Sequence, residues 1–241
     1  MLQVAEEQGF GLKEDWKSIE ETLRELIPVY DKTNRYISLG SDLKLRRDGL
    51  CALRKALRKD SFSILDLGCG PGKMTQMLSL EDSSDSVLTD ALPSMVRLAK
   101  SRNPLSTGVV SVYENLPFRE GSFDTAMAGF AIRDARRLLR ALREIHSTLK
   151  NDGIFLIVDL CKPDSTIRRG LIGTYWRLLA PLIALFASGR LGLKFAALFT
   201  TYRRLPKNSE FEKLLGDSGF EIQEREYRML GGACIMLLIK R

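Results

Sequence analysis

The spacing of apolar residues changes period several times along this chain, and each change marks an element. Between residues 13 and 29, Trp16, Ile19, Leu23, Leu26 and Ile27 recur at steps of three and four among charges, which predicts an amphipathic helix. Residues 43–57 repeat the helical pattern with many Arg and Lys. The period then shortens. Ser63-Ile64-Leu65-Asp66-Leu67 is a brief apolar run ahead of glycines, as for a strand covered on both faces. Residues 75–80 predict a helix, 86–90 a second strand, and 93–100 a helix with Pro93 in its first turn. Strands follow at 109–113 and 123–129, a long amphipathic helix at 135–149, and an Asn151-Asp152-Gly153 turn into a fifth strand at 154–160. The alternation stops at Cys161 and resumes near Ser209 with a helix at 210–215 and closing strands at 220–226 and 232–239. Strands alternating with helices at this spacing predict a mostly parallel sheet with helices on both faces.

The composition, 44% hydrophobic and 28% charged over 241 residues, allows a real core and argues against disorder. No run of 18 uncharged apolar residues occurs, so no segment is expected to span a bilayer. Residues 1–8 hold two glutamates and no apolar stretch, so a signal peptide is not expected. Cys51, Cys69, Cys161 and Cys234 are far apart, which suits reduced packing thiols in a cytoplasm. The one histidine, His146, reads as an ordinary surface residue, and no metal site is expected. The net charge of +7 is local: residues 161–207 carry nine Lys or Arg against Asp164 alone, leaving the rest of the chain about neutral. A concentrated patch of this kind reads as a docking surface.

The chemistry centres on Asp66-Leu67-Gly68-Cys69-Gly70-Pro71-Gly72, a D-x-G-x-G-x-G pattern between strand and helix. Glycines permit the sharp bend and a close ligand approach, and the next helix N-terminus offers free N–H groups to an anion. The dinucleotide spacing G-x-G-x-x-G would need glycine where Lys73 stands. Asp90 ends the second strand 24 residues after Asp66, where a carboxylate can accept both hydroxyls of a ribose. A tight strand–helix turn without a ligand is the plainer alternative.

Three further segments carry a resemblance. Leu116-Pro117-Phe118 followed by Phe123-Asp124 is similar to a segment of class I S-adenosylmethionine-dependent methyltransferases. Tyr30-Asp31-Lys32-Thr33-Asn34, then Ser38-Leu39-Gly40, and Gly129-Phe130-Ala131-Ile132-Arg133-Asp134 resemble signatures of the ubiquinone/menaquinone biosynthesis C-methyltransferase family. The match departs at Asp42, Leu45, Gly129, Ala131 and Asp134, and again at Asp159-Leu160-Cys161, where the family has E-x-S. The resemblance implies a Rossmann-like α/β fold: a seven-stranded, mostly parallel sheet with helices on both faces and a helical apolar insertion before the last helix. Residues 1–60 would be helices covering the cofactor site, 61–161 the cofactor-binding core, 162–208 the insertion, and 209–241 the last helix and closing strands.

The same resemblance implies that S-adenosyl-L-methionine is held by Tyr30, Asp66, Gly68, Gly70, Pro71, Gly72, Asp90, Ala91, Val112, Tyr113 and Gly129. Val112 stands where a polar residue is usual, so adenine recognition would rest on backbone groups and apolar walls. Arg133 is placed to stabilise a phenolate and Asp134 to accept its proton; the plainer alternative is a surface ion pair with Asp134 as a helix N-cap. Tyr30 is either a lid over the methionine moiety or simple packing.

Within the insertion, residues 178–189 carry no charge yet are too few to cross a membrane. Cations flank them, so this segment reads as an interfacial helix on an anionic membrane, a cover over a lipid-like acceptor touching Tyr175 and Trp176, or a buried pair in a homodimer or core. The expected activity is methyl transfer to a lipid-like acceptor, foremost C-methylation of a polyprenyl quinol. Phospholipid headgroup N-methylation stays open, and nucleic acid is not an expected partner, because few aromatics interleave with the cations.

Overall fold

Apolar runs without a polar face are satisfied inside a sheet covered on both sides, and that is their place in the computed structural model. It describes residues 10–57, 62–78 and 85–241. The N-terminal reading over 1–8, and the last two positions of the helix expected at 75–80, lie outside the described residues. The strands are β1 (Ile64–Leu67), β2 (Ser86–Asp90), β3 (Thr107–Val110), β4 (Phe123–Gly129), β5 (Leu149–Leu160), β6 (Phe220–Arg228) and β7 (Ala233–Lys240). They form one seven-stranded sheet in the order β3-β2-β1-β4-β5-β7-β6. β1 to β5 pair in parallel, and β7 joins β5 and β6 antiparallel. The expected Rossmann-like, mostly parallel sheet is therefore the observed one.

Side chains alternate across the sheet, so each strand feeds two cores. On one face Leu65, Leu67, Ala126 and Phe155 meet Leu142 and Ile145 of a helix at Leu138–Thr148, together with Phe211 and Leu215 of one at Asn208–Asp217. On the other, Ile64, Met127, Leu156 and Val158 meet Leu45, Leu50 and Leu53 from Ser41–Ala56, with Met74 and Leu78 from Lys73–Leu78. Each leucine buried this way contributes about 2 kcal/mol.

In chain order the α-helices are α1 (Trp16–Leu26), α2 (Tyr30–Ile37), α3 (Ser41–Ala56), α4 (Lys73–Leu78), α5 (Pro93–Arg102), α6 (Leu138–Thr148), α7 (Thr166–Thr174), α8 (Ala180–Ser188), α9 (Ala197–Arg204) and α10 (Asn208–Asp217). Several boundaries differ from the sequence reading, two of them near the site or the β4–β5 ladder. The turn expected at 151–153 is a bulge within β5: Asp152 takes a left-handed φ of 57°, and pairing with β4 shifts register between Phe123 and Thr125. One left-handed residue absorbs extra length without ending a ladder. β3 stops at Val110, so Val112 and Tyr113 stand in the loop beyond it. His146 is half-exposed at the surface. Its ring packs edge-on against Phe220 at 5.2 Å. Cys69, Cys161 and Cys234 are buried as expected, but Cys51 is exposed.

The insertion is helical throughout, with a π turn at Tyr175–Leu179 and a 3-10 stretch at Gly189–Ala196 between its α-helices. Its 39 residues from Thr166 to Arg204 are long and apolar enough, by length and composition, to cross a membrane. Single cations interrupt the stretch, so no uncharged run of 18 residues marks it in the sequence. The segment is not one rod. The backbone reverses at Gly189 (φ 62°), and Gly192 lies so close to α8 that a Cβ would stand 1.9 Å from the Ala184 carbonyl oxygen. Its inner side packs Trp176, Ala180, Ala184 and Phe195 against Leu26 and Ile37. Its outer side leaves Ile167, Leu171, Leu178, Leu182 and Phe186 exposed.

Candidate active site

The turn after β1 needs three left-handed residues, and glycine takes that conformation without strain. Gly68, Gly70 and Gly72 have φ of 57°, 52° and 78°. Gly68 also has no room for a side chain: a Cβ there would meet the Tyr113 hydroxyl at 1.9 Å. Asp66 Oδ2 accepts the Thr75 hydroxyl at 2.7 Å and its N–H at 3.3 Å, tying β1 to α4. Asp66 Oδ1 is sealed from solvent and has no partner. Burial pushes the Asp66 carboxyl up to about 6, against the pull of Thr75 and Arg46. At the end of β2, Asp90 accepts the N–H of Gly70 and of Leu92, each at 2.9 Å. Its carboxylate fixes the glycine loop to the next connection, and burial raises its pKa.

These elements meet at the C-terminal edge of the parallel strands, between β1 and β4 where the strand order reverses, the usual ligand crevice of an open α/β sheet. A cavity of about 630 Å³ opens there, lined by Tyr30, Gly68, Gly70, Asp90, Ala91, Val112 and Tyr113. Asp66, Pro71, Gly72 and Gly129 do not line it. Gly72 packs under the loop against Asn103 and Ala99. Gly129 makes room for Arg46 instead, since a Cβ would lie 2.3 Å from Nη1 of that side chain.

Sequence reasoning missed Trp16, Leu23, Ser111, Phe130 and Arg136, which line the same cavity. Trp16 lies more than fifty residues before the glycine loop and reads as helix core, which it also is. Ser111 is the better lesson. It stands beside Val112, and its buried hydroxyl has no partner, nor do Trp16 Nε1 and Arg136 Nε. Three orphaned polar atoms in one cavity call for a ligand with matching groups.

A second cavity, of about 560 Å³, shares Tyr30 and Phe130 with the first. Asn34, Asp42, Arg46, Arg133, Trp176, Leu198 and Met229 line it. Phe130 holds a left-handed φ of 56°, rare for a bulky residue and found where a site dictates it. Tyr30 is kept protonated by burial, which raises its pKa.

Arg133 and Asp134 are not a surface pair. Arg133 is buried and its Nη1 donates to Asp159 Oδ1 at 2.8 Å, while Asp134 Oδ2 lies 3.8 Å from its Nε. Burial opposes the Arg133 charge, but Asp134 and Asp159 outweigh it and raise the pKa. Asp134 lines the cofactor-side cavity, and burial lifts its carboxyl to about 6. It caps no helix; α6 begins after Arg137, whose N–H goes to Glu114 at 2.9 Å. Trp176 lines the second cavity, whereas Tyr175 lines neither: its hydroxyl donates to the Ile37 carbonyl, tying the insertion to α2.

A family model described as the ubiE/COQ5 methyltransferase family matches residues 11–240. The chain belongs to this family. Among its relatives, the ubiquinone/menaquinone biosynthesis C-methyltransferase of Geotalea uraniireducens is 29% identical over 234 residues, covering 92% of this chain and 96% of the relative. The demethylmenaquinone methyltransferase of Chlamydia caviae is 30% identical over 230 residues, with the same coverage of 92% and 96%. Among solved structures, the YcgJ protein of Bacillus subtilis superposes with a TM-score of 0.59 at 17% identity, over 80% of this chain and 98% of that one. A SAM-dependent methyltransferase from Aquifex aeolicus gives 0.57 at 15%, over 80% and 90%. At such identities the structures speak for the fold, and the family match makes this ubiE/COQ5 member a methyltransferase.

Proposed function

We propose that this methyltransferase uses S-adenosyl-L-methionine to methylate a ring carbon of a polyprenyl quinol, the quinol being seated in the cavity beyond Tyr30 and Phe130. The observation that carries the reading is the pair of cavities sharing that boundary, one bearing the glycine loop and Asp90, the other lined by apolar groups, Asn34, Asp42 and two arginines. The cofactor-side residues fit a nucleoside: Asp90 has lone pairs left for ribose hydroxyls, and Ser111, Trp16 and Arg136 supply unmatched polar atoms for a base. Bound there, S-adenosylmethionine supplies an electrophilic methyl group on a sulfonium.

The chain's own residues then have three tasks. Tyr30 and Phe130 hold the boundary and exclude water, so that the acceptor carbon lies in line with the methyl. A guanidinium lining the second cavity favours ionisation of a ring hydroxyl, which makes the neighbouring carbon nucleophilic. Asp134, close to its pKa at neutral pH, takes a proton directly or through water. The ring carbon gains the methyl and loses its hydrogen as a proton, so the electron count closes without an oxidant.

The insertion would bring the enzyme to its acceptor. Ile167, Leu171, Leu178, Leu182 and Phe186 are exposed on one segment, Phe186 at 90%, with Arg168, Arg177 and Arg190 exposed among them. Apolar side chains bordered by cations suit the surface of an anionic bilayer, each nearby cation adding about 1 kcal/mol. Labelled S-adenosylmethionine with a demethylated polyprenyl quinone, reduced or oxidised, tests the reading. Label in the ring of the reduced acceptor alone is the expected result. Label in a phospholipid headgroup, or none in either quinone form, overturns it.

A further inference from the structure

We infer that Arg46, not Arg133, is the residue that holds the ionised ring oxygen of the acceptor. The inference rests on the quinol reading for the identity of the oxygen, but on this chain's geometry for the choice of residue.

Two guanidinium groups reach the acceptor-side cavity, both near the Phe130 ring. Arg46 lies 4.9 Å from the Phe130 ring centre and Arg133 5.8 Å. Their surroundings differ. Arg133 is already engaged: Asp159 takes its Nη1, and Asp134 lies beside its Nε. An anion approaching Arg133 meets two carboxylates as well, so little net positive potential remains. Arg46 has no carboxylate within ion-pair distance among the described residues. Asp42 and Asp66 face it from further away, but Asp42 takes the Ser38 hydroxyl and Asp66 takes Thr75. The Arg46 Nε is sealed from water with no acceptor, while Nη1 lies against the Cα of Gly129, where only glycine leaves room.

Arg46 is half-buried with its Nε sealed, and a guanidinium so placed without a hydrogen-bonded counter-charge is unfavourable. Burial lowers the Arg46 pKa accordingly, with Tyr30 and Asp42 opposing. Such a group finds its missing partner when an anion enters the cavity. The guanidinium offers planar donors suited to an oxygen, and a phenolate is the anion the proposed reaction generates. Stabilising it lowers the acceptor hydroxyl's pKa and raises the electron density on the ring carbon that takes the methyl. Sequence reading had no access to this role, because an arginine in the Arg-rich α3 looks like one more solvated cation.

The test uses Arg46→Met and Arg46→Lys in the full chain, beside wild type. Three quantities are measured: thermal melting, S-adenosylhomocysteine binding by calorimetry, and kcat and KM for the reduced quinol across pH. Arg46→Met is expected to melt no lower than wild type, to bind S-adenosylhomocysteine within about twofold, and to lose roughly 100-fold or more in kcat. Its remaining rate should rise toward alkaline pH, where the quinol ionises unaided. Arg46→Lys should recover part of the rate. A lower melting temperature together with unchanged kcat would make Arg46 structural and overturn the inference.

One arm does not depend on the acceptor's identity. With S-adenosylhomocysteine present, wild type should bind 4-nitrophenol as the yellow phenolate at a pH where the free phenol is mostly colourless, and Arg46→Met should not. Equal phenolate binding by the two proteins, or none by wild type, overturns the role of Arg46. Failure to methylate any quinol overturns the functional reading instead.

Discussion

Arg133 donates through Nη1 to Asp159 Oδ1 at 2.8 Å, between side chains that are 6% and 2% exposed. Asp159 Oδ2 also accepts the N–H of Ala131 and of Arg133, each at 3.1 Å. One carboxylate on β5 therefore fixes both the backbone after β4 and the arginine that lines the second cavity. Removing its charge leaves a buried cation and two amides with weaker acceptors. Asp159→Asn is expected to lose about 3–5 kcal/mol in urea unfolding, and its kcat should fall further than its affinity for S-adenosylhomocysteine.

Asp134 gives a pH signature. Its carboxyl lies at about 6 in the folded protein, up from 3.8, through burial first, with Arg133 pulling down and Asp159 pushing up. The folded state thus binds this proton more tightly than the unfolded chain. The stabilisation is complete below pH 3.8 and is lost as pH rises to about 6, a change on the order of 3 kcal/mol. Asp134→Asn should flatten this fall, read as unfolding free energy against pH. It should also abolish any rise in kcat centred near pH 6.

Gly68→Ala tests the loop. The alanine must hold φ near 57° and displace the Tyr113 hydroxyl, which donates to the Ala131 carbonyl at 3.2 Å. A loss of about 1–3 kcal/mol in stability is expected, with S-adenosylhomocysteine affinity falling at least tenfold by calorimetry. Tyr113→Phe relieves the tightest contact, leaving the Ala131 Cβ at 2.8 Å, and removes that hydrogen bond at a cost of about 1 kcal/mol; in the double variant it should recover part of the lost affinity.

Much of this architecture was open to sequence reading. β1, β2 and β4 lie within a residue of their expected bounds, because strands buried on both faces leave uninterrupted apolar runs. The glycine loop and Asp90 were legible because a left-handed turn demands particular residues. What could not be read was partnership across distance. Nothing near Arg133 announces Asp159, 26 residues on, nor does α1 announce that Trp16 closes a cavity at the sheet's far edge. Helix periodicity assigns a residue to a face but not to what that face meets, so nothing singled out Arg46 within its Arg-rich helix, and a surface pair with Asp134 stayed open as the alternative for Arg133.

The outer side of the insertion predicts membrane behaviour separable from chemistry. Phe186→Asp with Leu182→Asp should reduce co-sedimentation with anionic vesicles by tenfold or more, because two exposed apolar contacts become repulsive charges. Thermal melting and S-adenosylhomocysteine affinity should not move. Reduced activity on vesicle-embedded quinol, with full activity on a short-chain soluble one, would be the matching kinetic result.

The central claim is that the crevice between the glycine loop and Asp90 seats a nucleoside whose reactive end faces Phe130 and Tyr30. A crystal structure with S-adenosylhomocysteine tests it most directly. The ribose hydroxyls should lie within hydrogen-bond distance of Asp90, the base beside Ser111, and the sulfur next to the Tyr30–Phe130 boundary. An empty crevice at saturating ligand, or a sulfur facing away from the arginine-lined cavity, would contradict the account.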